Sequence, residues 1–340
     1  MTPPLRFRIL SIDFQDLDVI WNVRLFYLAA GYSLIGDGAD SEPDLLVVLR
    51  GDPGLRHQDY RGIVHVYDYV KELQVEWPCR FPNAREIRLI SLIRPATLPE
   101  GVQWVQGYLP VVPEFWQQGA FRKQLGRPLH IANFKPMGDD PYQQDLAHLA
   151  RRDLVRVHGR HWDRLDLRTH GLSYLEANRL LASALCCYGL MYPYQRGNTL
   201  SGRMWQAPLH GCLVISEQGT NPFGLPGILE VEHFGPDTLL SVGSIRDCWR
   251  IRLEASRYWE DATAQLAHQL GLPAYRGPSA AQLATCRRDR FGQHLWVVSG
   301  RRLTRTARWL TPPPVRCWWR RQQRTLQGIG RVLRRAAKTG

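Results

Sequence analysis

The sequence predicts an α/β protein with two Rossmann-like domains that face a cleft, followed by a basic amphipathic C-terminal helix. Short runs that are apolar at nearly every position recur along the chain, as is typical of strands buried on both faces of a parallel sheet. Helical segments separate these runs in two series of similar size. The length of 340 residues also exceeds what one core usually organises. We therefore divide the chain into domains 1–125 and 126–300 and an extension, 301–340.

The first series contains one clear helix and several short strands separated by Gly, Pro and polar segments. The predicted strands are RFRILSIDF, PDLLVVLR, GIVHVYDYV and REIRLISLI. The segment VIWNVRLFYLAAGYSLI predicts a helix that ends near Gly31, because glycine commonly ends helices. Residues 96–118 combine prolines with aromatic residues and are harder to assign.

The second series begins at RPLHIANF (127–134) and alternates between helical and strand patterns. The predicted helices span 141–151, 173–188, 203–210 and 245–271. The predicted strands between them are LVRVHG, GLMYPY, CLVIS and DTLLSV (237–242).

Positive charge is concentrated in the C-terminal extension. The chain carries 44 basic and 31 acidic residues, and residues 301–340 hold 11 arginines, one lysine and no acid. The other 300 residues are therefore close to neutral, with 32 basic against 31 acidic residues. A nucleic-acid surface across the whole body is thus poorly supported, because such surfaces are strongly basic.

The cysteines and the hydropathy pattern predict a cytoplasmic protein. The seven cysteines form no CxxC pair, and several lie in apolar runs such as LASALCCYGL, which favours reduced, buried thiols over disulfides or a zinc site. The first residues lack the pattern of a signal peptide, and no window reaches 18 apolar residues.

Several common enzyme signatures are missing from the sequence. No GxGxxG follows the first strand, and GxxxxGK[ST], HExxH and GxSxG do not occur. These absences argue against a dinucleotide oxidoreductase, a P-loop NTPase, a zincin and an α/β-hydrolase.

Three segments of the second series follow strands, where open α/β sheets bind ligands. They are residues 133–140, residues 158–162 and residues 192–198, the last leading into Ser201, Gly202 and Arg203. Small residues, a helix start and guanidinium groups suit a diphosphate, because backbone N–H groups and arginines both donate to phosphate oxygens. The cationic candidates are Lys135, Arg160, Arg196 and Arg203, and the candidates for stacking on a base are Trp162, Tyr192 and Tyr194.

The ordered set "IANFKP.GD", "V.VHG..W" and "N..SGR.WQAP..GCLVISE" resembles the C-terminal half of GT-B glycosyltransferases, with the spore-maturation-type and group 1 proteins as the nearest pattern. The resemblance covers roughly residues 127–270 and matches Ala207 and Gly211 among other positions. It implies that domain 126–300 binds a nucleotide-sugar donor and that domain 1–125 lies on the acceptor side. The matching positions that it implies for the donor site include Gly159, Trp162, Arg203, Gln206 and Glu217. Together with candidates from the three loop segments, the predicted donor-binding residues are Asn133, Lys135, Gly159, Trp162, Arg196, Asn198, Ser201, Arg203, Gln206 and Glu217.

The chain departs from that family at two positions. Many retaining members carry two glutamates with seven residues between them, and here these positions are Asn198 and Gln206. Gln206 can still exchange hydrogen bonds with ribose hydroxyls. The retaining mechanism does not carry over to this chain.

An inverting transferase needs a base that deprotonates the acceptor hydroxyl, and in this arrangement it would come from domain 1–125. Asp13 and Asp68 follow predicted strands and are the catalytic candidates, with Asp16 and Asp18 as alternatives. No DxD motif stands out, so we expect no metal and no cofactor, with cationic groups and a helix N-terminus stabilising the leaving diphosphate.

The extension has a helical pattern over residues 315–338, with Trp and Leu opposite arginines. Such a helix suits an anionic membrane surface, and packing back onto the domains is the alternative. RNA binding is the weaker third reading of this segment.

Together these features predict a glycosyltransferase of polysaccharide biosynthesis that moves a sugar from a nucleotide sugar to a hydroxyl of a glycan or lipid-linked saccharide. It would be cytoplasmic or peripheral at the inner face of the membrane. Two alternatives stay open: a fucosyltransferase-like enzyme that uses a GDP-sugar, and an inactive transferase-like adaptor for membrane or RNA.

Overall fold

The chain forms two compact units, Met1–Ala284 and Thr285–Gly340, and both sheets lie in the first. The structure is a computed structural model. It describes residues 5–11, 17–35, 42–49, 59–67, 80–117, 121–124, 126–134, 136–172, 174–191, 193, 196–197, 200–236, 244–272 and 275–290.

The first sheet is parallel throughout and has six strands in the order β2-β1-β3-β4-β5-β6. The strands are β1 (Arg6–Ser11), β2 (Ser33–Leu34), β3 (Leu45–Leu49), β4 (Ile63–Tyr67), β5 (Glu86–Ser91) and β6 (Val102–Gln106). Every residue of β3 is buried, as expected for a continuously apolar strand that is covered on both faces.

Among the described residues, two helices accompany the first sheet. Helix α1 (Leu17–Ala29) buries Phe26 and Tyr27 against Phe7 of β1, and Gly31 ends it with a φ of +89°. The short helix α2 (Pro113–Trp116) follows β6 and begins with Pro113, which suits the first turn because that position needs no N–H donor.

The second sheet is also parallel, with five strands in the order β11-β10-β9-β7-β8. Its strands are β7 (Leu129–Ile131), β8 (Arg156–His158), β9 (Cys186–Tyr188), β10 (Leu213–Glu217) and β11 (Ile228–Val231). Its helices are α3 (Pro141–Arg151), α4 (Tyr174–Ser183), α5 (Gly202–Leu209) and α6 (Ile245–Gln269).

Gly211 turns the chain from α5 into β10. Its φ is +69°, and a Cβ at this position would lie 2.3 Å from the Cys248 carbonyl oxygen. Both observations require glycine, because other residues rarely adopt this backbone conformation and any side chain would collide with α6.

Helix α6 belongs to both halves of the first unit. Ser244 and Asp247 cap its start with reciprocal hydrogen bonds, a capping box. Near its start, Cys248 and Ile251 are buried beside the second sheet, whereas Leu266 lies in the core cluster of the first sheet. One long helix therefore joins the two cores.

The prediction of two Rossmann-like α/β domains is confirmed by the two parallel sheets. The last strand of the first sheet ends at Gln106 and the first strand of the second begins at Leu129. The exact domain boundaries at residues 125 and 300 stay predictions.

Three predicted elements need correction or lie outside the described residues. The helix predicted over 173–188 ends at Ser183, because Cys186–Tyr188 is a buried strand between β10 and β7. The strand predicted at GLMYPY is wrong where the structure describes it, since Gly189–Met191 follow β9 as a loop. Strand β11 was not predicted, and the strand at 237–242 and the helix of the extension lie outside the described residues.

Candidate functional site

The second sheet reverses its strand order between β7 and β9. From β7 the chain continues to β8 on one side, and then β9 and β10 follow on the other side. Ligands of open α/β sheets bind in the crevice at the carboxyl ends of the strands, where the order reverses. The carboxyl ends of β7 and β9 therefore mark the place where a ligand is expected.

Arg203 lies at this reversal point. It projects from the first turn of α5, and its guanidinium donates to the carbonyl of Ile131 at the end of β7. It also donates to the carbonyl of Leu190 just after β9, at 2.8 Å. Its Nε–H is buried without a hydrogen-bond partner, and no carboxylate among the described residues forms an ion pair with it. Desolvation lowers the pKa of this guanidinium.

The start of α5 presents further donors at the same edge. Ser201 occupies the N-cap position but makes no capping hydrogen bond, and its buried Oγ has no partner. The first N–H groups of a helix lack partners within the helix, so this end can bind an anion. One turn later, the side-chain amide of Gln206 lies 3.6 Å from where a Cβ would stand on Gly202, which keeps the amide beside the helix start.

Arg196 occupies a different environment near the end of β10. Its Nη2 donates to Asp140 Oδ2 at 2.6 Å and to Glu217 Oε1 at 3.2 Å. Glu217 is fully buried and also accepts from the Met191 N–H at 2.7 Å and from the Ser216 hydroxyl at 2.9 Å. Burial raises the pKa of Glu217, and these donors oppose that rise. The ion pair between Arg196 and Glu217 therefore fixes the loop that follows β9.

The loops after β7 and β8 are in close contact. Gly159 has a φ of +147°, and a Cβ there would lie 1.7 Å from the Ala132 carbonyl oxygen. Exposed Asn133 accepts a 3.0 Å hydrogen bond from the Arg160 N–H. The Trp162 indole donates to Ala132 at 2.8 Å, and with 1% of its surface exposed this ring lies in the core. Gly159 and Trp162 thus shape the two loops.

Two buried histidines lie at this edge: His158 belongs to the predicted segment 158–162, whereas His130 was not predicted as a site residue. His130 lies in β7, accepts or donates at Nδ1 with the Tyr188 carbonyl at 3.0 Å, and has a pKa lowered to about 3 by burial and by nearby Arg203. Both ring nitrogens of His158 are buried without partners, and burial and His170 lower its pKa. A polar residue inside a run of strand residues was the available signal for both.

Comparison with known proteins adds the fold family. No protein-family profile and no curated protein matches the chain. Among solved structures, the chain is similar to AviGT4, a glycosyltransferase involved in avilamycin A biosynthesis, with 16% identity over 83% of this chain and 99% of that one and a TM-score of 0.53. It is also similar to the T4 phage β-glucosyltransferase, with 7% identity over 80% and 100% of the chains and a TM-score of 0.50.

The chain has the GT-B fold of these glycosyltransferases. A cavity of about 300 Å³ lies between the two halves of the first unit, beside the start of α5. The Tyr108 hydroxyl donates across it to the Leu200 carbonyl at 3.1 Å. None of the described residues that line it carries a charge. The lining includes the amides Gln106, Gln265 and Gln269 and the rings of Tyr108, Phe223, Tyr258 and Trp259.

Several predicted site residues lie outside the described residues of the GT-B chain. They are the donor-binding candidates Lys135 and Asn198, the stacking candidates Tyr192 and Tyr194, the catalytic candidates Asp13 and Asp68 and the alternative Asp16. Within the described ranges, no group of three or more His, Cys, Asp or Glu side chains is placed to hold a metal ion. Across the same ranges, no helix is both long and apolar enough to traverse a bilayer.

Proposed function

We propose that the protein is a glycosyltransferase that binds a nucleotide-sugar donor where the second sheet reverses its strand order. The observation that carries this proposal is Arg203 together with the uncapped start of α5, at the edge where GT-B and other open α/β folds bind ligands. The two similar structures are themselves glycosyltransferases, one of them a β-glucosyltransferase.

Arg203 has donors left for a diphosphate. A guanidinium carries five N–H groups, and two of the groups on Arg203 are used by the carbonyls of Ile131 and Leu190. Those carbonyls fix the position of the planar guanidinium. Its remaining N–H groups can then bind a diphosphate together with the first N–H groups of α5. Such preorganised donors stabilise the charge that develops on a leaving diphosphate.

The same edge suits a donor site that needs no metal. Two carboxylates at the strand ends of this sheet, Asp140 and Glu217, are already bonded to Arg196 and to backbone N–H groups. Their oxygens are therefore occupied, and the cation and the helix start are what can balance a diphosphate. Gln206, beside Gly202, would then hydrogen-bond the ribose hydroxyls.

The acceptor would enter from the first half of the molecule. The uncharged cavity beside α5 favours a neutral acceptor, because its aromatic rings and amides suit sugar faces and hydroxyls. We propose a hydroxyl of a glycan or of a lipid-linked saccharide as the acceptor, with Asp13 or Asp68 as the base that removes its proton. We further propose that the enzyme works in the cytoplasm.

Thermal denaturation with UDP, GDP, CDP, dTDP and CMP tests the donor site. We expect one nucleoside diphosphate to raise the melting temperature selectively, because a ligand that binds only the folded state stabilises it. Selectivity for GDP would favour the fucosyltransferase-like alternative. The stabilisation should disappear in Arg203→Ala.

Arg151→Ala is the matched control for that experiment. Arg151 also donates to a carbonyl, that of Leu165 at 3.1 Å, but it lies at the end of α3. This variant should keep the full shift. If no nucleotide stabilises the wild-type protein at millimolar concentration, the transferase proposal is wrong and the adaptor alternative gains support.

A further inference from the structure

The first half of α6 exposes a row of large apolar side chains. Ile245, Trp249 and Leu253 are 51%, 47% and 42% exposed. Because they follow one another at intervals of four residues, they lie on one face of the helix. We call this row the α6 stripe. The opposite face of the same turns buries Cys248, Ile251 and Ala255, so the stripe is additional to the core contacts of the helix.

Arginines border the α6 stripe on both sides. At about 100° per residue, Arg252 falls on one side of the stripe and three exposed arginines fall on the other. Those three are Arg246, Arg250 and Arg257. The guanidinium of Arg252 lies 5.6 Å from the ring centre of Trp249, and the Phe121 ring lies 5.0 Å from that ring. Trp249 is therefore held in an outward-facing position by its neighbours.

The acidic residues of this segment do not cancel its positive charge. Residues 245–257 contain four arginines and two acids, Asp247 and Glu254. Both acids lie near Arg250, at 3.8 Å and 3.4 Å, and Asp247 also serves the capping box. Arg246, Arg252 and Arg257 are left to interact with whatever covers the stripe.

We propose that the α6 stripe docks on an anionic lipid bilayer. A row of Trp, Leu and Ile between arginines is the composition of a helix that lies in a membrane interface, with its apolar side chains below the headgroups and its cations among them. Repulsion between like charges disfavours two other occupants of the α6 stripe. The extension 301–340 has 12 basic residues and no acid, and a second α6 stripe would set arginine against arginine.

Vesicle sedimentation of the full chain tests this proposal. The wild type should bind vesicles of phosphatidylcholine mixed with phosphatidylglycerol and bind pure phosphatidylcholine far more weakly. The triple variant Ile245→Ser, Trp249→Ser and Leu253→Ser should reduce the partition coefficient at least ~10-fold, because the inserted apolar area is lost. The control Leu5→Ser with Ile93→Ser removes apolar residues of 54% and 39% exposure elsewhere and should bind like the wild type.

A pair of charge reversals gives a second test if the triple variant does not fold. Arg246→Glu with Arg257→Glu should abolish binding to the anionic vesicles. Arg61→Glu with Arg85→Glu makes the same change in net charge at exposed positions of the first half and should retain binding.

Three results would overturn the proposal: no binding of the wild type, equal binding to neutral vesicles, or equal loss in both charge-reversal variants. The proposal does not depend on the transferase activity. All folded variants should keep the nucleotide-induced rise in melting temperature, which separates a failure here from a failure of the donor site.

Discussion

Two arginine clusters on the same edge of the second sheet differ in how their charge is balanced. Arg203, at the reversal between β7 and β9, donates to the neutral carbonyls of Ile131 and Leu190 and to no carboxylate within the described part of the chain. Arg196, near the end of β10, lies between the carboxylates of Asp140 and Glu217. The sequence places both arginines among the donor-binding candidates, and the structure gives them different surroundings.

The difference indicates which cluster can attract an anion. A diphosphate near Arg196 would meet two carboxylates and only one cation, so Coulomb repulsion opposes binding there. A diphosphate near Arg203 meets a cation without an acidic partner, together with the start of α5. We infer that the Arg196 cluster stabilises the fold and that the Arg203 cluster binds the donor. The predictions below test this division of roles.

The largest effect is expected at Glu217. Glu217→Ala should lower the free energy of unfolding by about 3 kcal/mol, because it leaves the buried Met191 N–H without its acceptor and removes one of the two carboxylates that bind Arg196. Urea denaturation measures this. Glu230→Ala, an exposed residue on the neighbouring strand β11, should cost far less. Equal losses in the two variants would show that the Arg196 cluster is not a structural centre.

Gly159 should be the next most sensitive position. Gly159→Ala should cost more than about 2 kcal/mol, because the new Cβ would collide with the Ala132 carbonyl at a strained φ. Gly138→Ala is the control, since it has a φ of +65° and nothing within 4 Å. It should show only the conformational cost of about 1 kcal/mol. A mild effect at Gly159 would mean that the two loops separate easily.

The pH dependence of stability should reflect the burial of His130, to which the nearby charge of Arg203 adds. The pKa of His130 is lowered to about 3, whereas the unfolded chain titrates near 6.5, so the unfolded state binds more protons between these values. Stability is therefore complete above about pH 6.5 and falls by about 1.4 kcal/mol per pH unit below it for this group. His130→Asn should reduce this loss of stability at low pH, which urea denaturation at several pH values would measure.

The smallest effect on stability is expected at the N-cap of α5. Ser201 makes no capping bond, whereas Ser244 at the start of α6 accepts from the Asp247 N–H. Ser244→Ala should therefore cost about 1 kcal/mol and Ser201→Ala less than about 0.5 kcal/mol. Ser201→Ala should instead weaken nucleotide binding a few-fold, at about the scale of one hydrogen bond. The reverse order of stabilities would show that Ser201 is an ordinary cap.

Runs of continuous apolarity predicted two parallel sheets, although β6, β9 and β11 were not predicted as strands. Helix 141–151 was predicted with the bounds of α3 because Asp140 caps it, Pro141 starts it and its pattern is amphipathic. Strand β9 was assigned to a helix because LASALCCYGL is apolar throughout, and periodicity cannot separate a short buried strand from a helix. Strand β11 has only four residues and none of them is buried, so its pattern gave little signal.

The candidate site was less predictable than the fold. The position of Arg203 at the strand ends could be predicted, because it follows from the order of helices and strands along the chain. The partners of Arg196 could not be predicted in the same way, because Asp140 lies 56 residues away and pairs with it only in three dimensions. The covered position of Trp162 likewise depends on contacts between two loops.

Calorimetric titration of Arg203→Ala tests the central claim most directly. The titrations would use the nucleoside diphosphate that stabilises the wild type and the matching nucleoside, with Arg151→Ala as the control. We predict that Arg203→Ala loses at least about tenfold in affinity for the diphosphate, since charge-assisted hydrogen bonds to phosphate are lost. Its affinity for the nucleoside should stay unchanged. Wild-type affinity for the diphosphate in a folded Arg203→Ala protein would contradict the account.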